Sequence, residues 1–276
     1  HDVEAPDVVI ERAAVEERPL GAVGLPWGMW RDDHHFGLSV IDVARFQVTD
    51  GARVRVEESP GAPAGHVRLF LLGTVLGAVL TQRGYLTLHA NAVRVGDHAL
   101  LVMGPSGAGK STLAAELSRR GLDLLADDVV PVDADGLAWP GLARVKLWAD
   151  ALDRIGVGSE GLERIAGVDK FSLPIERGPL DALPVGGLYA LETSDAVEVT
   201  RVEPTRGFET FSLLRANTYR PELIHDTAEA QRHVDRCAAL ARQAAVLRVV
   251  RPSGTMSPEE TADAILADFD AREETP

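Results

Sequence analysis

The chain has 276 residues, enough for one large domain or for a main domain with a smaller appendage. Its 28 basic residues against 42 acidic ones leave a formal charge of -14, which argues against nucleic acid and an anionic membrane as partners, since both call for a basic face. A single cysteine, Cys237, excludes an internal disulfide framework and a cysteine-rich zinc site, and fits a reducing compartment.

Taken in chain order, residues 1 to about 25 read as a loose acidic arm. Opening on His1, the sequence is expected to be trimmed at this end. The arm lacks the basic-then-apolar pattern of a secretory signal, so the cytoplasm is the expected compartment. From Trp27 to Val56 short alternating pieces predict strands, with Asp50-Gly51 as a hairpin turn. Within them His34-His35 follows Asp32-Asp33. No further ligand cluster accompanies these four, so they read as a polar loop rather than a metal site. "SPGAPAG" (residues 59–65) is a loop. The apolar run Leu69 to Leu80 is twelve residues long, short of the roughly 20 that a spanning helix needs. It predicts a core helix closed by a glycine cap at Arg83-Gly84. The domain boundary is expected at 66–67, with a strand-rich region over 1–66 and the main core over 67–276.

"YLTLHANAVRV" and "HALLVMG" predict two strands joined by a hairpin through Val95-Gly96-Asp97. The second strand feeds Gly104-Pro105-Ser106-Gly107-Ala108-Gly109-Lys110-Ser111, which matches G-x-x-x-x-G-K-[ST] in full, with a helix to follow. Loop glycines let backbone N–H groups turn inward around phosphates, and the helix N-terminus adds its positive dipole. Lys110 is the mobile charge for the β and γ phosphates, Ser111 a magnesium ligand, and Thr112 a contact for the α phosphate. "STLAAELSRRG" predicts an amphipathic helix closed by Gly121. "LDLLADDVVPVD" then predicts a buried strand broken at Asp127-Asp128, only seventeen residues after Lys110.

Adjacent carboxylates point to opposite sides of an extended chain, so one can face a metal while the other faces an acceptor hydroxyl. That pairing suits a kinase better than a hydrolase that only orients water. His89, fifteen residues before Gly104, can reach the site from the neighbouring strand. Its pattern alone reads as structural. Residues 136–225 predict short strands and loops. Basic residues at Arg144, Lys146 and Asp169-Lys170 are candidates for a phosphate or substrate clamp. A helix carrying a buried Cys237 is expected from Thr227 to about Arg248. The last helix begins at "SPEE", with Ser257 as N-cap, Pro258 in the first turn and Glu260 completing a capping box. The whole predicts a mixed α/β fold.

From Leu86 to Asp133 the sequence resembles the HPr kinase/phosphorylase family, and in particular its divergent kinase-like relatives found with ribosomal and lasso peptide pathways. The histidine before the loop, the helix ending "RRG" and the "ADD" that follows carry the resemblance. It implies a compact α/β phosphate-loop kinase core, related also to ATP-dependent phosphoenolpyruvate carboxykinase. The implied reaction is ATP- and Mg2+-dependent transfer of the γ-phosphoryl group to a serine hydroxyl on a peptide or small protein. By the family's pattern Asp127 looks like the general base, Ser111 and Asp128 the magnesium side, and His89 a site residue. The resemblance also leaves room for a homo-oligomer. Two other readings use the same loop: a small-metabolite kinase, and a nucleotide hydrolase that acts as a switch without phosphorylating anything.

Overall fold

The computed structural model describes residues 6–142, 181–224, 227–254 and 257–273, together with the backbone of Arg144–Trp148, Glu163–Arg164 and Lys170–Pro174. These residues fall into two compact units, one built on residues 6–85 with 220–224 and the other on the rest.

The first unit is a six-stranded sheet: β1 (Val9–Arg12), β2 (Val23–Gly24), β3 (Met29–Arg31), β4 (His35–Val40), β5 (Ala44–Thr49) and β6 (Arg53–Glu58), in the order β1-β6-β5-β4-β3-β2. β3 to β6 form an antiparallel meander. Its last turn is Asp50-Gly51, with φ of 51° and 61°, the doubly positive geometry that a tight hairpin matches to strand twist. The arm expected over residues 1–25 is not loose throughout. Val9–Arg12 adds parallel to β6, and Val23–Gly24 pairs with β3. Both are short edge strands that bury no face, so no alternation marks them in the sequence.

Phe36, Leu38, Phe46, Val48, Val54 and Val56 form the inner face of this sheet. Helix α1 (Ala64–Gln82) covers it with Val67, Val75, Ala78 and Val79, and a π-helical turn at Leu71–Val75 interrupts its middle. At 19 residues and a mean hydropathy of 1.5, α1 is longer than its apolar run predicted, and by length and composition alone it could cross a membrane. Gly84 caps it at φ 93°, with Gly84 N–H donating to Thr81 O and Tyr85 N–H to Leu80 O. Because α1 completes this core, the first unit runs on to Tyr85, past the boundary expected at 66–67.

The second unit holds β7 (Leu86–Leu88), β8 (Ala90–Val95), β9 (His98–Met103), α2 (Lys110–Arg119), β10 (Leu124–Ala126), β11 (Val130–Val132) and β12 (Leu137–Ala138). A small sheet follows, from β13 (Arg144–Trp148), β14 (Glu163–Arg164) and β15 (Lys170–Pro174). Last come β16 (Leu183–Ser194), β17 (Arg201–Pro204), α3 (Phe208–Ala216), α4 (Thr227–Gln243), β18 (Ala245–Pro252) and α5 (Pro258–Glu273). In the main sheet β16 lies parallel to both β9 and β18, while β8, β10 and β17 run antiparallel to their neighbours. The parallel strands are buried on both faces, which explains the unbroken apolar runs Leu100–Met103 and Val246–Leu247. One core lies on the face with α2 and α5, where Leu113, Leu117, Ile265 and Phe269 pack. The other lies with α3 and α4, where Leu214, Cys237 and Leu240 pack.

The helix expected to run to Arg248 ends at Gln243, and Ala245–Pro252 is a strand. Its valine-rich run is a strand former with β16 on one side and β17 on the other. The "RRG" that closes α2 is structural: Arg119 and Arg120 both hold Glu116, and Arg120 also reaches Asp263 and Glu259 O on α5. These bonds, that from Arg119 foremost, keep the Glu116 carboxyl below its ordinary pKa although it is buried.

Candidate functional site

The site begins where β9 leaves the sheet. Gly104 has φ 145°, and a Cβ there would stand 3.1 Å from Leu191 O and 3.3 Å from the Ala108 methyl, so the chain can turn only on glycine. Gly107 and Gly109 also take positive φ, 84° and 88°. Ala108 N–H donates to Pro105 O and closes the turn, and α2 starts at Lys110 without a capping side chain. The first-turn amides of α2 therefore end against this loop, the arrangement that suits an anion.

Lys110 is almost fully buried. Its Nζ donates to Gly104 O at 2.7 Å and Pro105 O at 3.2 Å, and lies 3.1 Å from His89 Nε2. An ammonium is donor only, so Nε2 accepts and the His89 proton sits on Nδ1. Nδ1 faces Asp128, 3.0 Å from its carbonyl oxygen and 3.3 Å from Oδ1. The three side chains make one polar chain: Lys110, His89, Asp128. On the other side Ser111 Oγ donates to Asp127 Oδ1 at 3.3 Å.

The two carboxylates are therefore separated, though not by the extended strand that the sequence suggested. Asp128 has a left-handed backbone, φ 73°, and Val129 N–H closes back on Asp127 O at 2.9 Å. A non-glycine residue held there is a local strain that fixes where each side chain goes. The partners also differ from the family's pattern, which puts Ser111 and Asp128 together on the magnesium side: here Ser111 bonds Asp127, and Asp128 sits on His89. Thr112 is buried in the first turn of α2. The backbone of Arg144, Lys146 and Lys170 lies on β13 and β15, with Trp148 opposite Lys170. Their side chains, and Asp169, lie outside the described residues.

Three contributors gave no sequence signal. Asn217, just past α3, accepts Gly104 N–H on Oδ1 at 2.8 Å and His89 N–H on its backbone oxygen at 2.7 Å, and its Nδ2 donates to Leu213 O. Tyr219 follows it, with its ring centroid 6.1 Å from that of His89. Arg251, on β18, donates from Nη2 to Ala108 O at 2.7 Å. All three lie more than a hundred residues from the loop, where no local pattern can announce them.

Hard oxygen donors are what Mg2+ takes, usually one or two carboxylates with phosphate and water completing the shell. Ser111 Oγ and Asp127 Oδ1 at the N-terminus of α2 fit that donor set. Among the described residues no group of three or more His, Cys, Asp and Glu forms a self-sufficient metal site. His34 and His35 instead place their Nδ1 atoms on Asp50 and Asp32.

No known family's sequence pattern matches the chain, and no curated protein is significantly similar to it. Among solved structures it is similar to the Hpr(Ser) kinase/phosphatase from Coxiella burnetii, with a TM-score of 0.36 and 14% identity over 68% of this chain and 93% of that one. That is a distant structural likeness.

Proposed function

We propose that the chain is an ATP- and Mg2+-dependent phosphotransferase that moves the γ-phosphoryl group to a serine hydroxyl of a peptide or small protein. The observation that carries this reading is the pair of carboxylates parted at one phosphate-type loop, Asp127 on Ser111 and Asp128 on the His89–Lys110 chain. A hydrolase needs only one of these features beside its loop. Transfer to a hydroxyl calls for both charge neutralisation and a proton acceptor. The acceptor class rests on the sequence resemblance over Leu86 to Asp133.

The observed partners support an assignment in which Asp127 joins Ser111 on the metal side and Asp128 takes the proton, the reverse of the family-derived one. Mg2+, when bound, neutralises charge on the β and γ oxygens. Lys110 exchanges its loop carbonyls for those oxygens. As the serine Oγ–Pγ bond forms and the bond from Pγ to the bridging oxygen breaks, the hydroxyl proton passes to Asp128 and ADP leaves. His89 Nδ1–H holds Asp128 in place for that transfer.

The test is transfer from γ-labelled ATP to serine peptides, run with Asp127→Asn and Asp128→Asn over a Mg2+ series. Asp127→Asn should need at least about tenfold more Mg2+. Asp128→Asn should lose transfer by about a hundredfold or more at unchanged Mg2+ dependence. Label recovered only as free phosphate, whatever acceptor is offered, overturns the phosphotransferase reading.

A further inference from the structure

Arg251 stands out among the buried polar groups. Its side chain is 5% exposed, its Nε is buried without a hydrogen-bond partner, and no carboxylate among the described residues pairs with it. The contact it does make is with the loop, from Nη2 to Ala108 O. A buried guanidinium without a counter-ion is costly, so the contact it makes is where its role is to be sought.

The geometry of the peptide unit says what this contact does. Carbonyl and N–H of a trans peptide point in opposite directions. Holding Ala108 O toward Arg251 therefore turns the N–H of Gly109 to the opposite side of the Ala108–Gly109 plane. Gly109 itself is held at φ 88° as the residue that opens α2. Lys110 does the same for the earlier part of the loop by holding Gly104 O and Pro105 O. Lys110 must leave those carbonyls to meet a phosphate, whereas Arg251 is anchored on a central strand between β16 and β17 and has no such task.

We infer that Arg251 is a positioning residue for polyphosphate binding: it locks the Ala108–Gly109 peptide so that Gly109 N–H faces the bound phosphates. The inference rests on the nucleotide-binding reading above and adds a residue to it. Burial alone pushes the guanidinium pKa downward, in keeping with a cation that lacks a protein partner.

The experiment is calorimetric titration of the full chain with Mg-ADP and, separately, with Mg-pyrophosphate, for the wild type, Arg251→Met and Arg251→Lys. Arg251→Met should weaken both ligands by about tenfold or more, and Arg251→Lys by less, because the charge stays while the fixed fork is lost. In turnover the loss should appear in KM for ATP, with kcat within about threefold. A residue that only packs would lower the melting temperature of the free protein and leave both affinities alone. Arg251→Met that unfolds like the wild type and binds both ligands within twofold overturns the inference. If Arg251→Met does not fold, Arg251→Lys binding within twofold does so. A wild type that binds neither ligand overturns the nucleotide reading itself, and this inference with it.

Discussion

Asn217 is a single residue that holds both the loop and His89, the first through its side chain and the second through its backbone. Its Oδ1 holds the first glycine of the loop, its carbonyl holds the His89 amide, and its Nδ2 closes on Leu213 O. It is buried, so removing it leaves Gly104 N–H without its acceptor in a dry site. Losing such a partner costs about 1–3 kcal/mol. Asn217→Ala should lower the urea unfolding free energy by that amount and raise the Kd for Mg-ADP, while Asn217→Asp keeps the acceptor and should hold more of the affinity. Equal affinities for the two variants would show that Gly104 does not depend on Oδ1. At this scale the sequence was legible wherever geometry is local: the loop glycines turn at positive φ, and Lys110 and Ser111 open the helix that follows them. It was illegible where chemistry depends on backbone geometry. Nothing in "ADDVV" announces a left-handed Asp128, and that single torsion decides which carboxylate meets Ser111.

Among the elements, the end of α3 is tied to α4 by a buried polar link. His233 Nε2–H donates to Thr218 Oγ1 at 2.8 Å, and the Thr218 hydroxyl donates to Leu214 O at 3.0 Å. His233 Nδ1 faces Cys237 Sγ at 3.8 Å. Burial first, then Arg215 and Arg236, hold the imidazole pKa below its ordinary 6.5, and burial pushes the Cys237 thiol up to about 12. The link is therefore neutral at pH 7. Below 6.5 the unfolded chain takes up a proton that the folded chain resists, so stability is full above 6.5 and declines as the pH falls. A series of urea midpoints from pH 7.5 to 5 should show that decline, at no more than about 1.4 kcal/mol per pH unit for one group. His233→Gln should flatten it, and an unchanged slope would remove His233 as its source. The same region shows how far elements could be read. Both hairpins and the glycine caps of α1 and α2 follow from turn chemistry. The change from α4 to β18 was missed because "LARQAAVLRVV" runs on without a breaker, and only the strands flanking β18 make it extended.

At the scale of the whole chain, the two units have separate cores, and every residue assigned a role lies in the second. His89, the loop, Asp127-Asp128, Asn217 and Arg251 come from across 163 positions of sequence and are joined only when the main sheet is formed. A ligand that bridges them stabilises that assembled state and has no hold on its unfolded parts. Mg-ADP at a hundred times its Kd should thus add about 2.7 kcal/mol to the stability of the second unit. Amide hydrogen exchange can resolve this by segment. Protection should rise over 104–113, 127–129 and 217–219, where backbone amides either face the ligand or are held by groups that do. It should stay within error over 35–58, the meander whose Phe36, Phe46 and Val54 belong to a separate core. Uniform protection of both units would mean that they unfold as one, and a loop whose exchange ignores Mg-ADP would remove the phosphate site from this end of β9.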